Sequence, residues 1–316
     1  MKRPIPSLPR GCEAHFVGEG AANAVFKLSA PNMSASEQAL VEGKLLRVPK
    51  AGTKAYPYEE LQRYWEEALR PLFGPDDLVD QSLICLRGSG IALELNALLA
   101  ETEPQRRADF RGSRVADVEA GMLVDEMCKL HPGDIVLEFK PKWLVQSPSA
   151  PTSSMRCRTC ALRAYRAATG RGQHKGASAG SDFCPLDLAE CHRDPTALCR
   201  VLDALTKRAR GLSRRQVDQL ADWLRTNGLL ARLRSAQMCD DLALAMTLRD
   251  CTCFLRIPSD DTRGLVEARL GDLDKKNAEA KLGYWQAVEQ TLIEGGYYEG
   301  RENPRQLTCC RLERGR

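Results

Sequence analysis

The sequence predicts an α+β fold in two lobes, on three observations. At 316 residues the chain is long for one hydrophobic core. Its strand patterns cluster in the first part, whereas helical spacing dominates from Pro195 onward. Strands segregated from helices in this way, with no internal repeat, describe α+β rather than an alternating α/β chain. The expected division is a smaller strand-rich lobe over residues 1–126 and a larger helix-rich lobe over 127–316.

The elements follow in order. Three prolines in the first dozen residues suggest a flexible arm. His15-Phe16-Val17 leads into Gly18-Glu19-Gly20-Ala21-Ala22-Asn23, and Ala24 to Leu28 leads out, so a strand–glycine turn–strand hairpin is predicted. Ser29 to Gln38 is polar and reads as a connection, and Lys44 to Val48 is a third strand. Tyr58 to Phe73 places Leu61, Tyr64, Trp65, Ala68, Leu69 and Leu72 at helical spacing before Gly74-Pro75 stops it. Ser82 to Cys85 is a further strand candidate.

In the second part, Pro132-Gly133-Asp134 is a turn and Ile135 to Phe139 a strand. Gln146 to Ser154 is a loop, Arg156 to Ala168 a helix, and Gly172 to Ser181 a mobile polar loop. Helices are expected over 197–208, 213–226 (with Ser213 as N-cap) and 278–295, and strands over 251–257 and 265–270.

Composition narrows the function. Apolar residues at 43% and charged residues at 28% are those of a folded soluble protein, which excludes disorder and fibres. No apolar run is long enough to span a membrane, and the basic N-terminus leads into no signal-like stretch. Thirteen cysteines without a secretion signal read as reduced thiols, so nucleus and/or cytoplasm is the expected location. A net charge of +4 hides an uneven distribution. Phe139 to Ser181 holds Lys140, Lys142, Arg156, Arg158, Arg163, Arg166, Arg171 and Lys175 and no acidic residue, leaving the rest net acidic. Such a segment needs an anionic partner or solvation.

Two motif sets suit phosphate chemistry. A hairpin with small residues at its turn lets backbone N–H groups approach phosphates, as in kinase-like folds, and a cation about one strand further on completes that arrangement. Lys44, Arg47 and Lys50 are the candidates for that cation. Glu138, Lys140 and Lys142 project to one face of a strand, and the two ammonium groups repel unless an anion joins them. Asp250 stands just before one strand and Asp272 just after another. Paired carboxylates at adjacent strand ends fit a base and a Mg²⁺ ligand for phosphoryl transfer.

Together these residues resemble the inositol-pentakisphosphate 2-kinase family, enzymes that make inositol hexakisphosphate. Gly18 to Asn23 looks like its glycine motif, and Arg70-Pro71-Leu72-Phe73-Gly74 with Val79-Asp80 resembles its first-lobe helix end. Glu138-Phe139-Lys140-Pro141-Lys142 is similar to its Glu-Ile-Lys-Pro-Lys signature, and Arg156 to Cys160 sits where it has Arg-Phe-x-x-His. Cys184-Pro185-Leu186-Asp187-Leu188 is similar to its Pro-Leu-Asp-Leu motif, and Asp250-Cys251 and Asp272-Leu273 match its late aspartates.

The resemblance implies a two-lobed kinase-like fold of the inositol polyphosphate kinase type, binding ATP and Mg²⁺. It assigns Gly18, Glu19, Gly20, Ala21, Ala22 and Asn23 to the ATP phosphates, Arg47 to the place of the kinase lysine, and Glu138 to the nucleoside. It makes Asp250 the base, with Lys140 beside it at the 2-hydroxyl, and Asp272 the Mg²⁺ ligand. Arg107, Lys142, Lys276 and Tyr284 fall at inositol phosphate positions, and Arg163 or Arg166 would replace a family lysine that aligns near Ala164. The chain departs from the family in lacking its Asn-Asn substrate pair, and a basic helix, Lys207 to Arg215, lies near that place. A family arginine aligns with Ala280, next to Lys281. The +8 segment is then expected to line a pocket for one small, highly charged ring, with small-molecule substrates as partners, no membrane or nucleic acid, and a monomeric chain.

A reading of another class is a basic nucleic-acid-binding protein with a cysteine-rich zinc site, drawn from Cys157, Cys160, Cys184, Cys191, His192 and Cys199. Few aromatic residues accompany the arginines for base stacking. Cys157 and Cys160 share a helix face, which favours burial as thiols over Zn²⁺.

Overall fold

A computed structural model describes residues 4–170, 183–259, 264–301 and 309–314. The expected Gly172–Ser181 loop lies outside the described residues. The chain forms two compact units, one of residues 1–69 and 79–126, the other of residues 70–78 and 127–316. Each unit combines helices with an antiparallel sheet, so the chain is α+β.

The first unit is built on a five-stranded sheet. Its strands are β1 (Glu13–Glu19), β2 (Asn23–Ser29), β3 (Lys44–Pro49), β4 (Gln81–Cys85) and β5 (Ala120–Asp125), in the order β1-β2-β3-β5-β4. Period-two alternation turns Ala24, Phe26 and Leu28 of β2, with Leu46 and Val48 of β3, onto one buried face. Among the described residues this unit has three α-helices: α1 (Ala35–Val41), α2 (Tyr58–Tyr64) and α3 (Ile91–Glu101). α3 fills the core with Ile91, Leu95 and Leu99, spaced four residues apart and all buried.

The sequence reading missed several elements here. The polar stretch after β2 contains a capping box in which Ser34 accepts from Glu37 N–H and Glu37 reaches back to Ser34, and this starts α1. α3 and β5 were not expected at all. The helix predicted to Phe73 changes its hydrogen bonding after Tyr64, through a π turn at Trp65–Leu69 and a 3₁₀ turn at Arg70–Leu72. The expected flexible arm is docked from Pro6 onward. Leu8 N–H donates to Cys85 carbonyl and Cys85 N–H donates to Pro6 carbonyl, both at 2.8 Å, and Leu8 is buried.

The second unit holds a three-stranded sheet of β6 (Ile135–Phe139), β7 (Thr252–Ile257) and β8 (Glu267–Gly271), with β7 central. Around it are α4 (Arg158–Ala168), α5 (Pro185–Glu190), α6 (Pro195–Ala209), α7 (Arg214–Thr226), α8 (Leu229–Ala236), α9 (Leu242–Leu248), α10 (Ala278–Glu294) and α11 (Arg311–Arg314). α6 packs on β6 and α7 on β7. α7 opens with a capping box of Ser213 and Gln216, and α6 with Asp194 accepting from two backbone N–H groups ahead of Pro195. The basic run Lys207–Arg215 is not one helix. α6 ends at Ala209, Gly211 turns the chain at φ 79°, and α7 begins at Arg214.

None of the thirteen cysteines, all of them among the described residues, is in a disulfide. No helix among the described residues is long and apolar enough to cross a membrane.

Candidate active site

Antiparallel register gathers the second unit's motif residues at one edge of its sheet. Phe139, the last residue of β6, pairs with Cys253, and Thr252, the first of β7, pairs with Gly271, the last of β8. The residues just beyond these ends are Lys140, Cys251 with Asp250, and Asp272, so they emerge side by side. Two of them need unusual backbone: Lys142 has φ 59° and Asp272 φ 56°. Non-glycine residues held in the left-handed region cost of order 1–3 kcal/mol each and concentrate where a site demands a particular side-chain direction.

The result is a ring of cations around one carboxylate. Lys142 Nζ lies 3.1 Å from Asp250 Oδ1, and Lys276 Nζ lies 3.0 Å from Asp250 Oδ2. Lys140 Nζ donates to the Asp250 carbonyl at 2.6 Å and lies 3.6 Å from Asp272 Oδ2. Asp272 Oδ2 also accepts the Thr252 hydroxyl at 2.5 Å. Burial pushes the Asp250 carboxyl up, but Lys276, Lys142 and Lys140 together outweigh it and bring it down to about 2. Burial lowers the Lys142 ammonium, partly offset by Asp250. Three ammonium groups face two carboxylates, so this edge of the sheet carries surplus positive charge.

Three residues that the sequence reading passed over hold this edge. Gln237, fully buried at the end of α8, accepts Leu144 N–H at 2.9 Å and donates to the Lys142 carbonyl at 2.8 Å and the Leu248 carbonyl at 3.1 Å. One side chain thereby ties the Lys142 segment to the Asp250 segment. Trp143 lies between two guanidinium groups, Arg249 at 3.9 Å and Arg158 at 4.4 Å from its ring centre. Trp143 follows Lys142 and Arg249 precedes Asp250, and an aromatic and a cation flanking two motif residues was the available signal. Gln237 carried none.

The other expected residues of this unit are less gathered. Glu138 stands exposed on β6 opposite Phe254. Arg163 is half-buried and donates to the Phe183 carbonyl at 2.7 Å, whereas Arg166 is exposed and close enough to depress Lys142. Tyr284 is exposed on α10.

The expectation that the whole +8 segment lines one pocket needs correction. Arg156 and Arg158 are buried, the first 3.8 Å from Glu313 and the second 2.9 Å from Glu289. These two guanidinium groups are themselves buried against half-buried carboxylates, so they belong to the interior.

In the first unit the hairpin forms as expected. β1 continues through Gly18 to Glu19, a bulge lies between Phe16 and Gly18, and Gly20 N–H donates to the Asn23 carbonyl at 2.8 Å across the turn. A Cβ at Gly18 or Gly20 would meet no atom within 4 Å, and neither residue has positive φ. Their lack of a side chain is thus required by neither packing nor backbone conformation. The Glu19 side chain turns to Arg106 at 2.7 Å and Lys50 at 2.5 Å, all three buried. Lys50 also lies 4.0 Å from the centre of the Phe110 ring, so of the three cation candidates it is committed to the interior. Arg47 is half-buried on β3, over the Tyr58 ring, whose hydroxyl donates to Asn23 Oδ1 at 2.8 Å. Arg107 is exposed and pairs with Asp109 at 2.8 Å.

Comparison with known proteins places these motifs in one family. The family model described as inositol-pentakisphosphate 2-kinase matches residues 16–244 and 235–291. An inositol-pentakisphosphate 2-kinase of Yarrowia lipolytica is 30% identical over 200 residues, covering 57% of this chain and 61% of that protein. Proteins of the same name from Kluyveromyces lactis (34% over 168 residues, 52% of each chain) and Eremothecium gossypii (31% over 194 residues, 55% of this chain and 62% of that one) are also similar. The chain spans between half and about three-fifths of the length of these relatives. The family match runs from the glycine hairpin through Lys140, Asp250 and Asp272 to Tyr284, and this chain belongs to the inositol-pentakisphosphate 2-kinase family.

Proposed function

We propose that this chain transfers the γ-phosphoryl group of ATP to the 2-hydroxyl of inositol 1,3,4,5,6-pentakisphosphate, giving inositol hexakisphosphate. The observation that carries the reading is the ring of Lys140, Lys142 and Lys276 around Asp250, with Asp272 beside it. A carboxylate inside a surplus of ammonium groups suits a hydroxyl that must react while surrounded by phosphates. Five phosphates carry roughly −7.5 to −10 in all near neutrality, at roughly −1.5 to −2 each.

The residues divide the work. Asp250, ionised throughout the physiological range, accepts a hydrogen bond from the 2-hydroxyl and orients it for in-line attack. A carboxylate of such low basicity takes the proton only late, which agrees with a loose transition state in which little nucleophile activation is needed. Lys140, between Asp250 and Asp272, neutralises charge on the transferring group, while Lys142 and Lys276 hold substrate phosphates. Arg166 and Tyr284, both exposed, are assigned to the same substrate, as are Arg107 and Arg163.

Asp272 offers hard oxygen with one atom, Oδ1, not taken by the Thr252 hydroxyl, and Mg²⁺ typically takes one or two carboxylates together with substrate phosphates. Bound there, Mg²⁺ would supply charge neutralisation at the phosphates. The Gly18–Asn23 backbone and Arg47 are assigned to the ATP phosphates and Glu138 to the nucleoside. Gly18 and Gly20, glycine without an internal reason, support that assignment for the hairpin. The two units are read as the strand-rich and helix-rich lobes of a kinase-like fold, expected over residues 1–126 and 127–316, except that residues 70–78 go with the second unit.

The test is an assay with ATP, Mg²⁺ and inositol 1,3,4,5,6-pentakisphosphate, its products separated by anion exchange. Hexakisphosphate formed with one ADP per turnover supports the reading. ADP formation without hexakisphosphate, or no turnover by protein shown to be folded, overturns it.

A further inference from the structure

The glycine hairpin of the first unit is fixed by a side chain at each end. Glu19, which closes β1, is held by Arg106 and Lys50, and Asn23, which opens β2, is held by Tyr58. Tyr58 begins α2, is 4% exposed and clusters with Leu61 of α2 and Met122 of β5. Met122 is the register partner of Arg47, so Tyr58 packs on the face of the sheet that carries the Arg47 side chain. Arg47 in turn faces Val25, two residues along β2 from Asn23, which puts the Asn23 amide on that face as well. Lys44, of the other parity, shares the face of Leu46 and Val48.

One side chain therefore serves two groups. The Tyr58 hydroxyl donates to Asn23 Oδ1 at 2.8 Å, and the Arg47 guanidinium carbon stands 6.0 Å from the centre of the Tyr58 ring. The first contact is directional, because an amide has one acceptor end and one donor end. With Oδ1 taken by the phenol, Nδ2 is turned the other way, and no described residue accepts its two N–H donors. Asn23 is half-buried, yet Nδ2 keeps its contact with solvent. An outward pair of N–H donors beside a guanidinium suits phosphate oxygens, which only accept. The flipped amide would present a carbonyl lone pair to the phosphate and repel it.

We propose that Tyr58 is a positioning residue for the nucleotide: its hydroxyl orients the Asn23 amide so that Nδ2 donates to an ATP phosphate, and its ring backs Arg47 on the same face. The inference rests on the reading of the hairpin and Arg47 as the ATP-phosphate side. It adds a side-chain donor to a segment whose backbone alone was assigned that role. Tyr58 acts through Asn23 and Arg47 and is not itself a ligand-binding group. A buried phenol needs a hydrogen-bond partner in any case. What separates positioning from simple satisfaction of the phenol is whether nucleotide affinity follows the hydroxyl.

The test reads nucleotide binding without phosphoryl transfer. The full chain is titrated with ATP and Mg²⁺ in a calorimeter, with no pentakisphosphate present. Tyr58→Phe keeps the ring and removes only the hydroxyl, so ATP should bind about fivefold to tenfold more weakly, the worth of one hydrogen bond. Asn23→Asp keeps the acceptor for the phenol but has no N–H to offer, so it should weaken ATP roughly tenfold or more with its melting temperature held. Tyr58→Phe combined with Asn23→Ala should bind ATP as Asn23→Ala does alone, because the hydroxyl works through the amide. A residue with a structural role only would lower the melting temperature and leave the affinity of each folded molecule unchanged. Where Tyr58→Phe fails to fold, Asn23→Asp decides. ATP affinity within about a factor of two of the parent in the deciding variant, or additive losses in the double variant, overturns the proposal. An unaltered chain that binds no ATP would instead overturn the reading of the hairpin, and the proposal with it.

Discussion

Asp250 and Lys276 lie 26 residues apart in the chain, and their Oδ2 and Nζ atoms meet at 3.0 Å. Lys142 holds the other oxygen at 3.1 Å, so both lone-pair faces of this carboxylate are taken by ammonium groups, with Lys140 at its backbone carbonyl. Asp250 and Asp272 together cannot neutralise three lysines, and the surplus awaits an anion. Asp250→Asn keeps the shape and removes the charge. We expect turnover to fall by about 10²–10⁴, the range for losing a positioned general base, with the far-ultraviolet circular dichroism unchanged. Turnover within a factor of two of the parent would remove Asp250 from the reaction.

The same geometry sets a pH dependence. With its folded pKa at about 2, below the ordinary aspartate value of about 3.9, ionised Asp250 stabilises the fold fully above roughly pH 4, and that contribution is lost as pH falls towards 2. Lys276→Met removes one of the cations responsible, so the carboxyl should titrate at higher pH. Carboxyl carbon NMR of Asp250 across an acid titration reads this directly. An unchanged midpoint would mean that Lys276 does not hold the carboxylate in solution.

Lys142→Met and Lys276→Met should raise the KM for the pentakisphosphate at least tenfold and lower kcat much less. Contacts to phosphates that do not react are made equally in ground and transition states. Lys140→Met should do the reverse, because its ammonium stands between Asp250 and Asp272 where charge moves. Steady-state kinetics at saturating ATP separates the cases. Equal losses of kcat in all three variants would contradict this division.

Much of this edge of the sheet was legible in the sequence because it is written in strand ends. A carboxylate immediately before one strand and another immediately after its neighbour meet only if the strands are antiparallel and in register, and β7 and β8 are. Lys140 joins them because β6 pairs with β7 from the other side. What stayed hidden depends on side chains meeting at long range. Arg156 and Arg158 looked like ligand-facing charge until Glu313 and Glu289 were seen beside them. Cys310, whose Sγ accepts the Cys157 N–H, could not be joined to Cys157 by any spacing rule. α3 was missed although its apolar spacing was present, and α1 was hidden in a polar stretch whose only mark was the capping box of Ser34 and Glu37.

Glu19 is the corresponding long-range feature of the first unit. It accepts two guanidinium bonds from Arg106, each 2.7 Å, and the Lys50 ammonium at 2.5 Å. Burial alone would push the Glu19 carboxyl up, but the two cations win and lower it. Glu19→Ala leaves two buried cations facing a cavity and should cost about 3–5 kcal/mol, the range for breaking a buried ion pair from one side. Urea denaturation measures this. A cost below about 1 kcal/mol would indicate that water enters and solvates Lys50 and Arg106.

Gln237 tests whether the edge of the second sheet is positioned from behind. Its amide satisfies two carbonyls and one N–H at zero exposure, and it touches neither Asp250 nor the lysine ammonium groups. Gln237→Leu strands all three backbone groups, each worth about 1–3 kcal/mol when buried unsatisfied, so roughly 3–9 kcal/mol of stability should be lost. Gln237→Glu keeps the acceptor for Leu144 N–H but sets a buried carboxyl against the Lys142 and Leu248 carbonyls, so its loss should be at least as large. A purely structural residue would alter the amount of folded enzyme and leave each folded molecule unchanged. A positioning residue should also raise the KM for the pentakisphosphate per folded molecule, because the Lys142 backbone at φ 59° is held in place through the carbonyl that Gln237 grips. Kinetics normalised to the folded fraction distinguish the two, and an unchanged KM in Gln237→Glu would leave Gln237 a stabilising residue only.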